Sequence, residues 1–231
     1  MADVATFDRL AAIASESARV AELAARTQGD ARVPSCPDWD FSALVGHLGE
    51  VQRFWAGNVR AASLDGPSEG ERTPPATELS RWLAESTGLL LAALAEASPD
   101  APCWTWWGDP STVAAVARHQ VQEAAVHRWD AEKAVGTPSP LAPEIAHDGV
   151  AEYLEIMVDE ESGLPVGEVI FESTDTGGRW RAGAPGETSV VLRACASDLV
   201  LLLYGRLPLT AVEYHGDLAL WTTLLKAADM V

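Results

Sequence analysis

The chain has 231 residues, 48% of them hydrophobic, with sixteen basic against thirty-four acidic side chains and a net charge of −18. That is enough for one large core or two modest ones without disulfide staples. So acidic a chain excludes nucleic acid as a partner, because phosphate binding needs concentrated Lys and Arg, and no apolar run approaches the roughly 20 residues of a membrane span.

Three cysteines, Cys36, Cys103 and Cys195, are odd in number and far apart, with no Cys-x-x-Cys spacing for a redox pair or zinc knuckle. Such usage fits a reducing cytoplasm. The first twenty residues carry Asp3, Asp8 and Arg9 and lack an unbroken apolar core, unlike a secretory signal.

Taken in chain order, residues 1 to about 157 read as helices separated by Pro- and Gly-bearing loops. Phe7, Leu10, Ile13 and Ala14 recur at helical spacing in the first. The second, FSALVGHLGEVQRFWAG, has Asp40 as its expected N-cap and Trp39 placed to pack on Leu44 as a hydrophobic staple. Its inward stripe is Leu44, Leu48, Val51 and Trp55, with His47 beside it. After the loop SLDGPSEGERTPPATE, a third helix offers Leu79, Trp82, Leu83, Leu90 and Leu94. The break SPDAPCWTWWGDPS leads to a fourth, from about Thr112 to Val135, stopped by Gly136 and Pro138. A further helical stretch, EIAHDGVAEYLEIM, precedes the acidic segment VDEESGLPVG, where the pattern changes.

Beyond that segment EVIFEST, the turn DTGG and RWRAG read as a hairpin, and ETSVVLRA alternates as a third strand. SDLVLLLYG follows as a helix, TAVEYHG as a strand and GDLALWTTLLKAAD as a closing helix. The expected organisation is a four-helix bundle over residues 1–160 and a small α+β domain with an antiparallel sheet over 161–231.

The stripe of the fourth helix, Val113, Val116, Gln120, Glu123 and His127, turns polar where a core should be most apolar, and unpaired buried polar groups cost several kcal/mol. Glu123 and His127 are four apart, offset by only about 40° around a helix, so one ion can be gripped by both. With His47 from the second helix they make a two-histidine, one-carboxylate set, and bundle cores are where such sites are built. Taken singly, each has an ordinary explanation: a hydrogen-bonded core histidine, or an i,i+4 pair on a helix surface.

These residues also carry a resemblance. CPDWDFSALVGHLG, followed by QEAAVHRWDAE, resembles the metal-binding signature of the mycothiol-dependent maleylpyruvate isomerase family, a branch of the DinB-like four-helix bundles. ASDLVLLLYGR and VEYHGDLALWTTLL resemble that family's C-terminal domain, itself similar to sterol-carrier-protein folds. The resemblance implies a divalent metal, usually zinc, held by His47, Glu123 and His127, with mycothiol as thiol cofactor or cosubstrate. The chain departs from the family's commonest form at Gln122, where many relatives carry a second histidine.

Around this centre the candidate supporting or substrate-pocket residues are His119, Gln122, Asp130, Trp104, Trp106 and Trp107. His119, one turn before Glu123, either replaces a ligand or supports one from outside. Asp130 either orients the His127 ring or pairs at the surface with Arg128 or Lys133. The three tryptophans either roof the site or seal the end of the bundle. Cys36, with no basic neighbour, reads as a small buried apolar residue, and His147 and His215 as solvated. Arg206 is the candidate catalytic group of the second domain, either binding a substrate carboxylate in bidentate fashion or capping a helix C-terminus towards water.

The expected function is a metal-dependent enzyme using a low-molecular-weight thiol for isomerisation or S-transfer on a small electrophile, with no nucleic acid or membrane partner. Hydrolysis by the same ligands is one alternative, and a non-catalytic binding or regulatory protein of the same fold is the other.

Overall fold

A computed structural model describes residues 7–70, 72–158 and 163–228. The chain divides into two compact units, Phe7–Ser139 and the residues from Pro140 onward. The first is a bundle of α1 (Arg9–Ala24), α2 (Phe41–Ala61), α3 (Leu79–Glu96) and α4 (Val113–Ala134). Side-chain oxygens close three of the four starts: Asp8 accepts from Ala11 N, Asp40 from Ala43 N and Thr112 from Ala115 N. Phe41, Leu44, Leu48, Leu83, Val20 and Leu23 form a core against which Trp39 packs, as the expected staple requires.

Both α1 and α2 are flanked by α3 and α4. Paired side chains give the directions. Gly49 faces Trp82 and, further along, Arg60 reaches Leu89 O, so α2 and α3 run parallel. Arg128 reaches Glu16 and Arg19 reaches Glu132, so α1 and α4 also run parallel. Returning α3 to the direction of α2 means travelling the length of α2, about 30 Å at 1.5 Å per residue. The Pro- and Gly-rich stretch between them does this.

A buried charge ladder fixes the rotation of α4. Arg128 donates to Glu16 Oε2 at 2.7 Å and to Glu132 Oε2 at 2.9 Å, while Arg19 Nε donates to Glu132 Oε1 at 2.9 Å. Arg128 and Glu132 are almost wholly buried, and breaking a buried pair costs several kcal/mol. With this face bound to α1, the face carrying Glu123 and His127 is turned towards α2.

The second unit holds α5 (Pro143–Ile156), β1 (Val166–Ser173), β2 (Arg179–Ala182), β3 (Ala184–Ala194), α6 (Ala196–Leu203), β4 (Glu213–Gly216) and α7 (Leu218–Ala227). The sequence places α5 before the boundary, yet it packs on α6 and β2 and belongs with the sheet. Periodicity identifies a helix without identifying its partner. The expected boundary at 160 lies outside the described residues.

The α+β character is as expected, but the sheet is mixed and not antiparallel. Its order is β2-β1-β3-β4, with β1 antiparallel to β2 and parallel to β3. After the hairpin the chain passes around the start of β1, where Val166 pairs with Ala184, and climbs its other side. Glycines make the passage possible. A Cβ at Gly183 would lie 2.2 Å from Gly167 O, and the backbone there has φ +107°, a conformation side chains disfavour. Alternation predicts a strand, whereas the edge it joins depends on this crossing. Gly183→Ala should therefore destabilise the protein by about 3 kcal/mol or more, measured by urea unfolding. Gly70→Ala, which meets nothing within 4 Å, should stay within about 0.5 kcal/mol of wild type.

Candidate metal centre

His47 on α2 and Glu123 and His127 on α4 converge, with one ligand-type atom from each lying within 4.8 Å of the others. His47 Nε2 is 3.0 Å and His127 Nε2 3.3 Å from the same oxygen, Glu123 Oε1. Ligands around 2.05 Å from one tetrahedral ion stand about 3.3 Å apart, so the two histidine-to-carboxylate separations match those around a small divalent metal. Two imidazoles and a carboxylate are also the donor set that zinc and its neighbours accept.

Exposure falls from the α2 side inward: the side chains of His47, Glu123, His127 and Asp130 are 34%, 19%, 7% and 0% exposed. The open side lies at His47. On the inner side His127 Nδ1 meets Asp130 Oδ2 at 2.9 Å. A carboxylate there selects the tautomer that points the Nε2 lone pair at the donor cluster. Of the two roles open to Asp130, the structure has it orienting the ring, while Arg128 and Glu132 pair with each other and with α1.

The electrostatics suit a cation. Burial alone would oppose ionisation of Glu123, but the charge of His127 and hydrogen bonds from both histidines outweigh it and hold the carboxyl well below its usual range. Burial also disfavours a charged His127, yet Glu123 and Asp130 carry its pKa up to about 9. Without an ion the carboxylates therefore retain a proton on this imidazole.

The other candidates separate into groups. His119 is buried and is not one of the three convergent donors. Its ring packs against Trp107 at 5.0 Å, Trp55 at 5.9 Å and Trp106 at 6.0 Å. Trp104 instead meets Phe54 edge-on at 6.1 Å. Trp55, Trp106 and Trp107 thus form an aromatic box around His119. Gln122 is fully buried and turned about 100° from Glu123 around α4. Arg206 lies in the second unit, where Nη1 donates to Tyr204 O at 2.8 Å beyond the last turn of α6. His215 is exposed, but His147 is half-buried against Trp180 and hydrogen-bonded to Thr176 Oγ1 at 2.9 Å, not solvated.

Two residues gain a place here that the sequence did not suggest. The ring of Trp39 lies 4.7 Å from His47 and 5.7 Å from His127, so the staple residue also walls the donor cluster. Cys36 Sγ lies 3.8 Å from Asp130 Oδ2. Neither has helical spacing to the donors, because both belong to the turn before α2.

The sequence profile of the mycothiol maleylpyruvate isomerase N-terminal domain matches residues 10–132, and that of the MDMPI C-terminal domain matches residues 144–223. Comparison with curated protein sequences gave no match. The crystal structure of the mycothiol-dependent maleylpyruvate isomerase superposes with a TM-score of 0.68 at 15% identity, covering 89% of this chain and 91% of that one. That of a histidine-to-alanine mutant does so with a TM-score of 0.69 at 14% identity and the same coverage. At such identities the likeness carries the fold.

Because His127 keeps its proton up to about pH 9 and a metal ligand must be neutral, ion binding should displace one proton. Chelator competition should show affinity for a divalent ion rising by about tenfold per pH unit between roughly pH 7 and 9. An affinity flat over that window would contradict the coupling.

Proposed function

The chain belongs to the mycothiol maleylpyruvate isomerase family, and from that premise we propose that it is a metal-dependent enzyme that uses mycothiol or a similar low-molecular-weight thiol on a small electrophile. The observation that carries the reading is the convergence of His47, Glu123 and His127 with one side open to ligands. When bound, a divalent ion, zinc by its donor set, supplies the positive charge that holds a thiol as thiolate, the nucleophilic form, at neutral pH.

The protein's own groups prepare this chemistry. Asp130 fixes the direction of His127, so the ring need not turn when its Nε2 proton gives way to an ion. Glu123 contributes the negative charge that both imidazoles face. Trp39 lies against both imidazoles, an apolar wall that restricts water beside them and offers a surface for a carbon skeleton. In an isomerisation the thiol adds to an electron-poor cis double bond, the new single bond rotates, and the thiol leaves unchanged. In an S-transfer it stays on the product.

Cys36, Cys103 and Cys195 form no disulfide, and among the described residues no helix is long and apolar enough to cross a membrane.

Metal content and turnover of electrophiles, each assayed with and without mycothiol, test the reading. His127→Ala should lose bound metal and at least 100-fold in activity. Turnover that proceeds equally without thiol would replace thiol chemistry with metal-assisted hydrolysis. Purified protein that neither contains nor takes up a divalent metal would remove the catalytic reading altogether.

A further inference from the structure

The turn before α2 brings a thiol to the back of the donor cluster. Cys36 Sγ lies 3.8 Å from Asp130 Oδ2, and that same oxygen is 2.9 Å from His127 Nδ1. The backbone around Cys36 is tied down: its N–H donates to Val33 O at 3.1 Å, Trp39 N to Cys36 O at 2.9 Å, and Val33 N to Trp39 O at 3.2 Å. Cys36 also packs against the core cluster that contains Leu44 and Ala131. The thiol is thus held by a fixed turn against a carboxylate with no solvent exposure.

A filler of apolar space would not need a polar partner, and a thiol meeting a buried carboxylate is the donor of the pair. We infer that Cys36 is a positioning residue of the metal centre, its S–H donating to Asp130 Oδ2 so that Asp130 holds the His127 imidazole in one direction. The inference rests on the reading of His47, Glu123 and His127 as ligands. An oxygen shared between a ring N–H and a thiol has its rotation restricted from two sides. Without the thiol, the carboxylate loses one of its restraints, widening the range of positions that the imidazole Nε2 samples.

Groups that support metal ligands from outside contribute about 10- to 100-fold in affinity, and a weak S–H donor acting one step further out should contribute about three- to tenfold. The test titrates Co²⁺ into the metal-free full chain and reads both affinity and the visible absorption band, which reports ligand geometry. Cys36→Ala should weaken Co²⁺ binding by that factor and shift the band. Cys36→Ser, which restores a donor, should return both to near wild type. Cys195→Ala, the control thiol, should change neither.

If the thiol acts through Asp130, adding Cys36→Ala to Asp130→Asn should weaken binding no further. A Cys36→Ala protein that binds Co²⁺ within about twofold of wild type with an unchanged band would overturn the inference, as would a Cys36→Ser protein as impaired as Cys36→Ala. These outcomes leave the ligand assignment standing. A wild-type chain that takes up no Co²⁺ removes the ligand assignment and this inference together. Thermal unfolding of each variant separates a loss of metal affinity from a loss of fold, and the Ser variant keeps the test decisive if the Ala variant does not fold.

Discussion

One oxygen of Glu123, facing an imidazole from each of two helices, is the contact on which the site depends. A carboxylate four-fifths buried is costly unless cations or strong donors meet it, and here His47 and His127 meet the same atom. The interaction joins α2 to α4 and makes the proton on His127 hard to remove. It also gathers three donor atoms within 4.8 Å of one another. A helix pair holding this much charge inside the bundle is stable only with its partners in place, whether these are protons or an ion.

The remainder of the bundle holds that contact in register. Arg128, Glu16, Glu132 and Arg19 bind one face of α4 to α1, so the opposite face has little freedom to rotate away from α2. Asp40 starts α2 at a defined residue, which sets the level of His47 along the helix. The turn before Asp40 then does two things at once. It seals the core through Trp39 and brings Trp39 and Cys36 against the donors and their support. Structural and functional roles therefore overlap in the same few residues, and a substitution there should be judged by metal binding as well as by stability.

The bundle helices were legible because their apolar spacing, caps and breakers agree. Asp40, Thr112 and Gly136 lie where start and stop signals put them. The convergent trio was legible too, since i,i+4 spacing on a stripe that turns polar is visible without coordinates. Trp39 and Cys36 were not, because a loop carries no periodicity from which to project a side chain. The three loop tryptophans drew attention by their size, yet two of them enclose His119 and the third packs on Phe54.

By itself the sequence determined the helices and strands, the two-part order of the chain and the three residues most suited to hold an ion, because these follow from local periodicity and residue chemistry. Only the tertiary structure decided that β3 runs parallel to β1, that α5 sides with the sheet, that Asp130 turns to His127, and that a tryptophan and a thiol close on the donors. Those outcomes depend on which surfaces meet, and that is fixed by packing between segments far apart in the chain.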